Sequence, residues 1–353
     1  MQSSSGMSRL GWLIVASVGA GSFVAAADAG EPLRPGEFFY QFRDDVVLWS
    51  TASTRWGRGA YRLEAVPDDR NDQIIVSRAV DARQLPPVLS QWRDRVLRLY
   101  AWDGSSCTAT ITGFRLVGVA RLVPPLAAQW NALRDLAKGD PAIGNDDWQD
   151  QTAMAEAAWN QGAHFLVATV DRPESCTAQA WARDAELPTP ARAAEEPISE
   201  WLRALAIETF RALPAWQRLQ RAYAQATDRR GEPDPSWDRR DHAQPHVQSF
   251  RLSSKGAERH VVSVYAVHDN PDVTRARRLW AIFELEGPAD HPILLLRDVA
   301  SGRAVPAGLE LQAVIDLHDD GRAALMYSAD ASNGLMLEVG GSLVDQPLKR
   351  APR

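Results

Sequence analysis

Cysteine is nearly missing from this sequence: 353 residues contain two, Cys107 and Cys176, far apart in the chain. That excludes the usual thiolate zinc centres, which need four ligands with two of the cysteines close together. Lysine is nearly as scarce, at Lys138, Lys255 and Lys349 only, so arginine carries almost all the positive charge. The formal charge is -6, and an acidic balance argues against nucleic acid as a partner, because phosphate binding needs clustered Lys and Arg. Long apolar runs are missing beyond residue 28; a spanning helix wants about 20 apolar residues, so no membrane insertion of the mature chain is expected. The sequence also has no G-x-S-x-G elbow, no glycine-rich phosphate loop and no dinucleotide fingerprint, and these gaps leave no motif-based catalytic residue and no cofactor to expect.

What is present first is a leader. Arg9 is followed by an uncharged stretch from Leu10 to Ala27 and then by Asp28, with small residues at Ala25 and Ala27. This is the layout of a secretory signal, read here as residues 1–27 with cleavage after Ala27. The destination is then periplasmic or extracellular. Abundant alanine together with arginine in place of lysine is the mark of a GC-rich bacterial genome.

In an oxidising compartment an even cysteine count favours a bridge, and both cysteines sit in the tetrapeptide SCTA, at 106–109 and 175–178. Each copy follows a β-like run and a turn, Asp103-Gly104 in one case and Asp171 to Glu174 in the other. The pattern predicts two hairpins, each with its cysteine early in the second strand. A disulfide between Cys107 and Cys176 is the expected outcome.

The periodicities predict an α+β chain. Residues 37–185 read as a β-rich part with inserted helices, one over 124–139 and one ending at Gly162, where Trp148, Thr152, Ala155 and Trp159 share a face. Residues 186–197, ELPTPARAAEEP, read as a linker, and 198–227 as a helical segment broken at Pro214, with Ile198, Trp201, Leu202, Leu205, Phe210 and Leu213 along one side. Residues 228–245 read as a charged loop. Residues 246–346 then alternate as seven strands, an antiparallel β part expected to be a sandwich or partly propeller-like.

Between two of those strands stands Asp316-Leu317-His318-Asp319-Asp320-Gly321-Arg322-Ala323-Ala324-Leu325. This stretch, within residues 309–339, resembles the DLDGDGRPELV-type loop of FG-GAP and VCBS repeats. The resemblance implies a strand-turn-strand unit that binds calcium through oxygens, with Asp316 and Asp320 at two of the acidic positions. His318 replaces a third and Ala324 a fourth. Calcium wants six to eight oxygens, so Asp316, His318 and Asp320 are the candidate ligands of a metal that is not expected to bind.

Other groups carry side chains capable of chemistry. Asp241-His242-x-x-x-His246 is interrupted by Pro245, His260 and His268 lie at even spacing on one predicted strand, and the pair Glu195-Glu196 points its side chains apart on a strand. Trp49, Trp56, Trp102 and Trp181 offer aromatic platforms near the disulfide-linked part, while Trp130, Trp148, Trp159, Trp201 and Trp216 fit helix core faces. The sequence thus favours a non-catalytic exported protein that binds an unidentified protein or envelope component. A hydrolase with a site between the two parts is the alternative.

Overall fold

The computed structural model describes residues 33–49, 52–56, 62–65, 73–121, 145–178, 180–224, 245–255, 257–268, 277–287, 292–301, 305, 309–329, 332–339 and 342–345. The leader, the helix over 124–139 and all of the 228–245 loop except Pro245 lie outside the described residues.

The amino-terminal strands follow the alternation of their residues. β1 (Phe39–Phe42) turns into β2 (Asp45–Trp49), β3 (Arg62–Ala65) pairs with β4 (Gln73–Val80), and the short helix α1 (Pro87–Ser90) precedes β5 (Val96–Tyr100) and the 16-residue β6 (Ser106–Arg121). The turn between β5 and β6 falls at Asp103-Gly104 as expected. Gly104 takes a φ of 89°, and the Asp103 carboxylate accepts from the Ser105 amide at 2.8 Å and from its hydroxyl at 2.7 Å. Helix α2 (Asn145–Gln161), β7 (Ala163–Asp171) and β8 (Trp181–Asp184) complete this part.

Six of these strands close on themselves in the order β6-β5-β8-β1-β2-β7, and β7 pairs back to β6. The length of β6 makes closure possible: its first residues pair with β5, later ones on the same edge pair with β4, and β7 takes the other edge. A bulge between Ile111 and Gly113 bends the strand where it changes partner. Inward-facing Val46, Leu97, Leu99, Ile111 and Leu166 form one cluster with Met154, Ala158 and Trp159 of α2.

One expected hairpin does not form. β7 and β8 are not neighbours in the ring, and the second SCTA lies in the connection between them, its last residue three positions before β8 begins at Trp181. Pro173 and the small residues after it make a crossing segment, whose Cys176 and Ala178 join the interior cluster. That segment runs across one end of the barrel. Cys176 there meets Cys107, with sulfurs at bonding distance and Cα atoms 5.8 Å apart.

Residues 186–197, expected as a linker, hold two short strands, β9 (Ala191–Ala193) and β10 (Glu195–Glu196). Each is an edge strand of a different five-stranded sheet, a position that tolerates the prolines preceding it. The helical segment divides at Pro214 as expected, into α3 (Glu200–Ala212) and α4 (Pro214–Ala224). The carboxy-terminal strands are β11 (His246–Ser254), β12 (Ala257–His268), β13 (Arg277–Glu286), β14 (Ile293–Ser301), β15 (Glu310–Asp316), β16 (Ala324–Ala329), β17 (Ser332–Val339) and β18 (Ser342–Asp345).

These strands form a middle sheet, β18-β17-β16-β15-β9, and an outer sheet, β10-β11-β12-β13-β14. The expected sandwich or partial propeller of residues 246–346 is therefore replaced by two sheets that each need a strand from the preceding segment. One face of the middle sheet, with Ala313, Ile315, Met326 and Leu335, packs on barrel residues Phe38, Tyr40, Val117 and Trp181. Its other face, with Leu311, Val314, Leu325 and Tyr327, packs on Phe250, Val261, Trp280 and Ile282 of the outer sheet. Leu202, Ala206, Phe210 and Trp216 of the two helices pack on part of the outer sheet's remaining face. The protein is α+β and β-rich, and among the described residues no helix is long and apolar enough to cross a membrane.

Candidate functional site

The helices do not cover the whole of the outer sheet. Register places Glu196, Ser249, Val262 and Phe283 in one row across β10 to β13, and Arg251, His260 and Leu285 in the next. Val262 and Phe283 contact the helices, so the polar members of both rows point to the same side. Along β11 this face reads Val247, Ser249, Arg251, and along β12 it reads Val264, Val262, His260, Glu258. Apolar residues carry the helices at one end, and polar ones emerge at the other.

There the sheet and the start of α3 enclose a cleft of about 460 Å³, within the range of small-molecule sites, roughly 300–1,000 Å³. Ser249 Oγ lies 2.6 Å from His260 Nε2, and Glu196 Oε1 lies 3.3 Å from the same nitrogen. Arg251 reaches Glu196 at 3.4 Å and Glu258 at 3.3 Å. Burial holds the His260 imidazole below its usual pKa, with Glu196 pulling upward and Arg251 downward. Pro197, Ser199, Trp201 and Leu285 form the walls. Trp201 does not share the buried stripe expected for it: Leu202, Ala206 and Phe210 face the sheet, and the residue before them is rotated out, leaving Trp201 53% exposed.

The chemistry of this group follows from which nitrogen is used. In a serine-histidine-acid relay the acid holds Nδ1–H while the serine sits at Nε2. Here serine and glutamate compete for one nitrogen. Ser249 also lies inside a strand and is 1% exposed, so its oxygen offers an electrophile no surface to approach. The arrangement is suited to holding polar groups rather than to activating a nucleophile.

Of the residues singled out by sequence, His260, Glu196 and Trp201 meet here and the others go elsewhere. Asp316 is fully buried, and its carboxylate accepts the amides of Asp320 (3.1 Å) and Gly321 (2.8 Å) and the Ser254 hydroxyl (2.5 Å). Asp320 accepts the amide and Nε of Arg322 at 2.9 and 2.6 Å. His318 Nε2 lies 2.9 Å from Glu37. The loop closes on its own donors, and the three side chains do not converge. His246 opens β11 on the surface, His268 ends β12, and Asp241 and His242 lie outside the described residues. Trp181, offered as a platform, is buried between Phe38 and Tyr100, with ring centroids 5.4 and 4.1 Å away. Glu195 and Glu196 do point apart: Glu195 takes the Gln248 amide at 3.0 Å on the side away from the cleft.

Sequence reasoning missed Ser249, Arg251, Glu258 and the role of Trp201. The available signal was the alternate positions 247, 249, 251 and 258, 260, 262, 264, where polarity switches halfway along one face of each strand. A second cavity, about 280 Å³ and almost wholly apolar, opens at the barrel end opposite the crossing segment, beside Phe39, Leu48, Trp49, Leu89 and Trp92. Comparison with family models, curated proteins and solved structures finds no match to this chain.

Proposed function

We propose that this is an exported, non-catalytic binding protein of the bacterial envelope whose ligand occupies the cleft formed by Glu196, Ser249, Arg251, His260 and Trp201. The observation that carries this reading is the convergence of four polar side chains and an exposed indole on one cleft, with serine and glutamate on the same imidazole nitrogen. Export to the periplasm or extracellular space is supported by the leader-like first 27 residues and by a cysteine pair at bonding distance, which an oxidising compartment keeps as a disulfide. The strand-turn-strand around Asp316, with its FG-GAP-like sequence, acts in this reading as a structural corner.

A hydrolase is the second reading, favoured by the 2.6 Å contact between Ser249 and His260. A ligand-panel thermal shift compares the wild type with Trp201→Ala, alongside labelling by a fluorophosphonate probe. Binding predicts shifts lost in the variant and an unlabelled Ser249. Labelling at Ser249 that disappears in His260→Gln transfers the function to the hydrolase.

A further inference from the structure

Resting on the cleft as the binding site, we infer that its ligand is a neutral saccharide. The cleft's charges are already paired, because Arg251 lies between Glu196 and Glu258 and burial keeps His260 toward its neutral form. An ionic ligand would have to break one of these pairs to gain a partner of its own. What remains are acceptors (the two carboxylates), a donor (the guanidinium) and a group that does both (the imidazole of His260, held by the buried Ser249 hydroxyl). Such a mixture matches a ligand whose every polar group is itself donor and acceptor, which is the property of a hydroxyl. Ser199 adds another hydroxyl, since it precedes α3 without making a side-chain capping bond.

The wall supplies the second half of the match. Trp201 presents an exposed indole, and Pro197, Leu285 and Pro292 line the same cleft. A cleft lined by an indole and apolar side chains as well as by polar ones fits a ring with C–H bonds on its face and hydroxyls at its edge. A pyranose has that form. The volume accommodates a small saccharide, and the cleft's open side leaves a chain end free to continue outward, as an envelope glycan requires. The apolar cavity at the barrel mouth has no such set of donors and acceptors and is no rival for this ligand.

Isothermal titration calorimetry with D-glucose, D-galactose, N-acetyl-D-glucosamine and their β-1,4-linked dimers tests the inference, with choline and inorganic phosphate as charged comparators. Saturable one-to-one binding of at least one neutral sugar is expected, weakened tenfold or more by Trp201→Ala and by Glu196→Gln and retained by Trp201→Phe. Trp201 is exposed, so its variants fold, and far-ultraviolet circular dichroism verifies that. If choline or phosphate binds in a Trp201-dependent way and no sugar does, the saccharide inference is overturned while the cleft remains a binding site. If sugars bind equally well to Trp201→Ala, both the inference and the cleft assignment fail.

Discussion

Replacing Arg259 by methionine tests how the middle and outer sheets are joined. Arg259 on β12 donates Nε and Nη2 to the two oxygens of Glu284 at 2.7 and 2.8 Å, and Nη1 to Glu338 of β17 at 2.6 Å and to the Gly321 carbonyl at 3.1 Å. The side chains of Arg259, Glu284 and Glu338 are 17%, 9% and 16% exposed. Hydrogen bonds to the carboxylates push the guanidinium further above its already high pKa. Burial raises the Glu284 pKa, but bonds from Arg259 and Arg297 outweigh it and leave the group below its usual value. Removing the cation leaves Glu338, among the described residues, with the Ala323 amide at 3.2 Å, while Glu284 keeps Arg297 at 2.7 Å. Breaking a buried pair from one side costs about 3–5 kcal/mol, whereas replacing both partners by apolar groups is close to neutral. Urea unfolding followed by tryptophan fluorescence is therefore expected to show a loss of about 3–5 kcal/mol for Arg259→Met. Most of that loss is recovered in Arg259→Met/Glu338→Leu. A single variant within about 1 kcal/mol of wild type, or a double variant no better than the single, would refute the reasoning.

Cys107 and Cys176 are separated by 69 positions, and by loop entropy their bridge contributes about 4 kcal/mol; non-reducing peptide mapping should recover them joined, and two free thiols in exported protein would contradict this. Gly334 sits opposite Tyr327, whose ring carbon would lie 1.9 Å from an added Cβ, so Gly334→Ala should cost at least about 1–3 kcal/mol by overpacking, and a thermal melt unchanged from wild type would count against that packing. Burial lowers the pKa of both His164 and His260. The unfolded chain therefore binds protons that the fold excludes: this stability is full above the unfolded value, about 6.5, and is lost as pH falls through the lower folded values. Urea midpoints between pH 7.5 and 5 should decline, and His164→Gln/His260→Gln should flatten the slope.

The strands were legible because their residues alternate, and α3 and α4 because Leu202, Ala206, Phe210 and Trp216 recur at helical spacing with Pro214 between. Ring closure was not, because it depends on β6 changing partners along one edge, and the hydrophobic pattern of a strand does not record which neighbour it meets. The second hairpin failed for the same reason: a β-like run, a proline turn and another β-like run look identical whether the strands pair or stand on different sides of a barrel. The short strands within 186–197 leave no trace in the sequence, because a two-residue edge strand such as Glu195–Glu196 has no period to detect. At the cleft, His260, Glu196 and Trp201 stand out in the sequence for separate reasons, with nothing to join them. The partners of His260, Glu196 and Ser249, are 64 and 11 positions distant, and the register of three strands, not spacing, brings them together.

Native mass spectrometry of the mature protein recovered from its producing cells bears most directly on the central claim. A non-covalent one-to-one adduct is predicted, released intact on collisional activation, with a mass matching a neutral saccharide and absent from Trp201→Ala and Glu196→Gln. A covalent mass on Ser249, or an adduct that persists in both variants, would contradict it.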